Sequence, residues 1–148
     1  MQNANNKRLP RTVIVVGLVS FFNDLASEMV TPLIPIVLAT LMGAGPLALG
    51  AIEGIADSVS AFIKLWSGRH SDSLGGRRKW LTFYGYLLSN TVRPFFGLVS
   101  SWGLLVGLRS VDRIGKGIRT APRDALVADA TPPEIHGYAY GFHRAMDN

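Results

Sequence analysis

The chain has 148 residues, 48% of them hydrophobic and 17% charged, with a formal net charge of +5 and a mean hydropathy of +0.25. The charges are clustered, and the 16 glycines and 8 prolines lie largely inside the long apolar stretches between them; this disfavours a water-soluble core and suits a membrane, where neighbouring helices re-satisfy freed backbone groups. With no cysteine there is no disulfide framework, thiolate metal site or thiol nucleophile, and basic residues that flank apolar segments without forming a solvated face read as topology-setting charge rather than a nucleic-acid surface.

Residues 1–11 read as a cytoplasmic tail in which Lys7, Arg8 and Arg11 precede the first apolar run. That run, residues 12–42, is too long for the core of a secretory signal and carries Asp24 and Glu28, so it is expected to be an uncleaved first span. A helix needs only about 20 residues to cross the hydrocarbon core. The excess length predicts a tilt, a kink or a protrusion, and Pro32 and Pro35 favour a bend. A short uncharged turn at 43–46 leads to a second span at 47–67. Residues 68–79 form a polar basic loop, and the third span covers 80–99. After Ser100 and Ser101, Trp102 suits an interfacial anchor. A fourth span at 102–128 is apolar only as far as Leu108; Arg109, Asp112, Arg113, Lys116, Arg119, Arg123 and Asp124 then interrupt it. A loop with Pro132 and Pro133 follows, and 138–148 opens a fifth helix. The expected fold class is therefore an all-α membrane protein with about four transmembrane helices and the start of a fifth.

The tail and the 68–79 loop hold dense Lys and Arg, while the turns at 43–46 and 100–101 hold none. The basic group is expected inside, which puts the N-terminus in the cytoplasm of a multi-pass protein of the plasma (inner) membrane.

A charged side chain at a helix centre costs roughly 2.5–3.5 kcal/mol on insertion scales, so such residues need partners or a wet cavity. Asp24 and Glu28 stand i, i+4 in the first span, Glu53 and Asp57 repeat the spacing in the second, and Arg93 precedes Pro94 in the third. Taken singly, each reads equally well as a structural ion pair. As a set, two helices each carrying paired acids favour a polar pathway, and carboxylates facing each other could exchange protons near neutral pH. Proton coupling through Asp24, Glu28, Glu53 or Asp57 is the expectation. The intramembrane charges are also expected to need partners from later helices, which predicts that the chain folds poorly alone.

Gly68, Asp72 and Gly75, followed by Arg77, Arg78 and Lys79, resemble the cytoplasmic motif G-x-x-x-D-R/K-x-G-R-R/K of the major facilitator superfamily. Ser73 replaces a customary base and Gly76 is one residue extra. Arg109 to Gly115 resembles the family's R-x-x-Q-G-x-G pattern, with Asp112 and Arg113 in place of Gln and Gly. The stretches 21–29, 52–57 and 112–125 are similar to a bacterial permease branch. The resemblance implies a secondary transporter of a small solute with the proton as coupling ion, and a gate at Gly68, Asp72, Gly75, Arg77 and Arg78. It implies a coupling role for Arg109; with the intramembrane charges read above, the expected substrate or proton pathway runs through Asp24, Glu28, Glu53, Asp57, Arg93, Arg109, Asp112 and Arg113. It also implies twelve helices in two halves, so the chain is expected to be the partial N-terminal half of the fold, with C-terminal helices missing from the transport path. The alternatives are a short membrane protein acting by interaction and a non-functional gene fragment.

An enzyme is not expected. Gly115-Lys116-Gly117 lacks the rest of a phosphate loop, no G-x-S-x-G occurs, and His70, His136 and His143 lack metal-ligand spacing and read as solvated. No cofactor, metal or nucleic-acid partner is expected; the lipid bilayer and a small-molecule substrate are.

Overall fold

The computed structural model describes residues 8–43, 45–73 and 78–147. Most of the N-terminal tail, Ala44 in the first turn, Asn148, and the gate residues Gly75 and Arg77 lie outside the described residues.

Among the described residues the chain is helical and has no strand. Its helices are α1 (Arg11–Val30), α2 (Leu33–Met42), α3 (Pro46–Ser73), α4 (Arg78–Val92), α5 (Trp102–Asp129) and α6 (His136–Met146), with 3-10 turns at Arg93–Leu98 and Pro133–Ile135. Two stretches, Arg11–Thr40 and Pro46–Ser73, are long and apolar enough to cross a membrane. The 28 residues of α3 span about 42 Å, against a hydrocarbon core of about 30 Å.

The first of these stretches is interrupted between α1 and α2. Pro32 brings no N–H to the backbone ladder, and Thr31 closes α1 by donating both its N–H (2.9 Å) and its hydroxyl (3.0 Å) to the Ser27 carbonyl. Pro94 likewise converts the end of α4 into a 3-10 turn that opens on Arg93.

The basic segment at 68–79 departs from a plain loop. Helix α3 continues through Gly68 and Asp72 to Ser73, and α4 begins at Arg78. Ser71 in that extension is fully buried, so packing holds the helix past the apolar run.

Helix α5 is the axis of the bundle, with α3 and α4 packed along it. Small residues allow this. A Cβ on Gly85 would lie 2.7 Å from Arg119 Cβ and 2.9 Å from the Gly115 carbonyl, and one on Gly117 would lie 2.8 Å from the Ser60 carbonyl. Pro122 sits inside α5 and leaves the Ile118 carbonyl without its helical donor. The Ser67 hydroxyl of α3 donates to that carbonyl at 2.6 Å.

Two small apolar clusters close the ends: Ile34, Leu38, Ile52, Val99 and Leu105 at one, and Val13, Val127 and Ala139 at the other. Between them the interior is polar, with Ser20, Asn23, Ser89, Arg93, Arg109, Asp112, Arg119 and Arg123 buried, while Phe22, Met29, Leu47, Phe62 and Leu65 face outward. Such an inverted distribution suits a lipid surround, which accepts the apolar exterior at no cost.

Candidate functional site

The buried polar residues converge on one stripe of α5. Arg109, Asp112, Arg113, Lys116, Arg119 and Arg123 recur every three or four residues, so they share a face and run along about 21 Å of helix. The last two arginines extend that face toward the basic end of the bundle.

Helix α3 supplies the first partners. Arg109 grips Glu53 through Nε to Oε1 (2.7 Å) and Nη2 to Oε2 (2.8 Å), and Arg113 Nη2 adds a third bond to Oε2 at 3.0 Å. Arg113 Nε also stands 3.3 Å from Asp57. Within α5, Asp112 lies 3.8 Å from Arg109 and 3.5 Å from Arg93. Arg93 in turn donates to the Asn23 carbonyl (2.7 Å), to Asn23 Oδ1 (3.0 Å) and to Asn90 Oδ1 (3.1 Å). Glu53, Asp57, Arg93, Arg109, Asp112 and Arg113 thus form one network across α3, α5 and the turn after α4.

A second group lies one turn further on. Arg119 donates to Ser89 Oγ at 3.1 Å, stacks over the Tyr86 ring at 4.6 Å, and faces Asp24 at 3.8 Å. Arg123 bonds Ser20 Oγ at 3.2 Å and Asp147 Oδ2 at 2.8 Å, and contacts the other Asp147 oxygen as well. Tyr86 and Ser20 share a hydrogen bond of 2.8 Å that ties α4 to α1.

Both groups border a cavity of about 320 Å³ between α1, α5 and the end of α6, lined by Asp24, Glu28, Arg109, Arg113, Lys116 and Asp147 among others. Glu28 forms no ion pair among the described residues.

The geometry refines the expectation of facing acids: Glu53 and Asp57 are bridged by Arg113, whereas Asp24 faces Arg119 and also lies against the carboxylate of Asp147. Most of the buried charges find partners on α5 within the described residues. The histidines differ too. His143 is buried in α6, and His136 shares a hydrogen bond of 2.8 Å with the Thr131 carbonyl.

The gate residues that are described lie away from this site. Arg78 joins Asp72 (3.4 Å) to Asp129, bracing the ends of α3, α4 and α5, while Gly68 packs so that a Cβ there would meet Ala121 at 3.5 Å.

Sequence reasoning omitted Lys116, Arg119, Arg123 and Asp147 from the site. The first three were readable as the continuation of the Arg109–Arg113 face; Asp147 had no periodic signal, because only the docking of α6 on α1 brings it in.

The Major Facilitator Superfamily profile matches residues 16–148. An uncharacterised MFS-type transporter of Methanocaldococcus jannaschii is 38% identical over 145 residues, which is 98% of this chain and 36% of that protein. Uncharacterised proteins of Mycobacterium bovis and Mycobacterium tuberculosis are each 29% identical over 138 residues, 93% of this chain and 33% of theirs. The chain therefore spans about a third of the length of these relatives. No solved structure matches it.

Proposed function

The chain belongs to the Major Facilitator Superfamily, and on that premise we propose that it is the N-terminal part of a secondary active, proton-coupled permease for a small solute. The permease is a multi-pass protein of the plasma membrane with its N-terminus in the cytoplasm. Its first four spans correspond to α1 with α2, α3, α4 with its 3-10 turn, and α5; α6 begins the fifth.

The observation that carries this reading is the charged stripe of α5, neutralised by acids of α1 and α3 beside a cavity, inside a bundle whose exterior is apolar. Charges at such depth are costly and mark pathways more often than packing. The arrangement can also couple a proton to a movement. Asp24 holds only long contacts, to Arg119 (3.8 Å) and to the Asn23 amide (3.3 Å), and lies against the Asp147 carboxylate, to which it can donate once protonated; protonating Glu53 instead strips three short bonds from two arginines and frees α5 from α3. Asp24 is therefore the carrier, and Glu53 with Arg109 and Arg113 is the joint that must hold or reform as the bundle rocks. Arg78 with Asp72 forms the brace of the cytoplasmic gate, together with Gly68, Gly75 and Arg77.

The test begins with the coding sequence beyond position 148, which should continue into about eight further spans. The full permease, reconstituted into liposomes loaded with a pH-sensitive dye, should move protons when a small solute is added from a broad panel. Asp24→Asn should abolish that signal. Solute uptake that persists without proton movement would remove the coupling assignment.

A further inference from the structure

The six ionisable side chains around the α1–α5–α6 cavity are not equivalent. Arg109 and Arg113 are committed to Glu53, Asp147 receives Arg123, and Asp24 faces Arg119 and lies against Asp147. Lys116 on α5 and Glu28 on α1 remain. Both line the cavity, both are exposed, and neither enters an ion pair among the described residues. The cavity thus carries one uncommitted ammonium and one uncommitted carboxylate on walls formed by different helices.

We infer that this cavity takes a zwitterionic small solute, its carboxylate meeting Lys116 and its ammonium meeting Glu28. The inference rests on the transport reading and names the substrate class for the same site. A solute with a single positive charge would satisfy Glu28 and be repelled by Lys116; a simple anion would meet the reverse. An uncharged solute would leave Glu28 without a direct counter-charge and Lys116 with only the more distant Asp24 carboxylate.

The test uses the full-length permease, purified in detergent, with thermal unfolding followed against a panel of neutral amino acids and betaines, alkylammonium ions, carboxylates and sugars. Zwitterions should stabilise the wild type. Lys116→Gln and Glu28→Gln should each weaken zwitterion binding roughly ten- to hundredfold, as expected for a lost charge-assisted contact. Lys116→Gln should shift preference toward alkylammonium ions and Glu28→Gln toward carboxylates. Neither residue holds an ion pair, so both unliganded variants should melt with the wild type, which separates lost binding from lost folding. Stabilisation by singly charged or uncharged solutes alone, by nothing in the panel, or equally in wild type and both variants would overturn the assignment. Proton-coupled transport of another solute class would overturn it while leaving the transport reading intact; zwitterion binding without any solute-driven proton movement would fail the coupling and keep the site.

Discussion

Arg109 meets Glu53 edge to edge, with two parallel N–H···O contacts of 2.7 and 2.8 Å that join α5 to α3 in the bundle interior. This fork geometry is the strongest way to hold a carboxylate with one side chain. Loss of the Glu53 charge leaves Arg109 and Arg113 only their longer contacts to Asp112 (3.8 Å) and Asp57 (3.3 Å), so Glu53→Gln is expected to destabilise the bundle by about 3 kcal/mol. Asp57→Asn, which loses one 3.3 Å contact at an exposed side chain, should cost less than about 1 kcal/mol. The double variant Glu53→Gln with Arg109→Gln should cost less than the sum of the singles. Thermal melting of the purified protein in mild detergent reads all three.

The Ser67 hydroxyl satisfies the carbonyl that Pro122 leaves open. Ser67→Ala should therefore cost about 1–3 kcal/mol, the penalty of a buried unsatisfied carbonyl. Adding Pro122→Ala restores a backbone donor to Ile118 and should recover most of that loss. A Ser67→Ala variant insensitive to the residue at 122 would break the connection.

Close packing along α5 depends on three glycines at two crossings, Gly85 and Gly115 against each other and Gly117 against α3. Gly85→Ala, Gly115→Ala and Gly117→Ala each place a methyl under 3 Å from backbone or side-chain atoms and should cost about 1–3 kcal/mol or more. Gly103 and Gly107 stand on the same helix with nothing within 4 Å of an added Cβ. Their alanine variants should be neutral or stabilising by up to about 1 kcal/mol through helix propensity. Melting temperatures of the five variants should fall into these two groups.

Arg78 braces the ends of α3 and α5 through two exposed carboxylates, so Arg78→Gln should change global stability by less than about 1 kcal/mol. Its effect should be local: faster amide hydrogen exchange at residues 67–73 and 124–131, with exchange at 105–115 unchanged.

The sequence made the all-helical membrane class legible through clustered charge and apolar runs with embedded Gly and Pro, and it made the family legible through the Gly68–Asp72 spacing and the Arg109 segment. The pairing within the site was less legible. Asp24 with Glu28 and Glu53 with Asp57 suggested acids facing acids; Asp24 does lie against Asp147, but Glu53 and Asp57 meet Arg113, because i, i+4 spacing shows which residues share a face and not what that face meets. Helix α5 looked interrupted by its own charges, yet it is continuous from Trp102 to Asp129. Most of its charges point inward at partners on α1, α3, α4, the turn after α4 and the end of α6, and hydropathy averages over direction. Asp147 was invisible for a related reason: its partner, Arg123, lies on another helix.

The central claim is that the α5 stripe borders a water-filled path and not a dry structural core. With no cysteine in these 148 residues, single cysteines at Glu28, Lys116 and Phe62 in a cysteine-free background of the full permease can be probed with a membrane-impermeant thiol reagent. The account predicts rapid modification at positions 28 and 116, slowed by bound solute, and none at position 62, on the apolar exterior. Protection at 28 and 116 equal to that at 62 would contradict it.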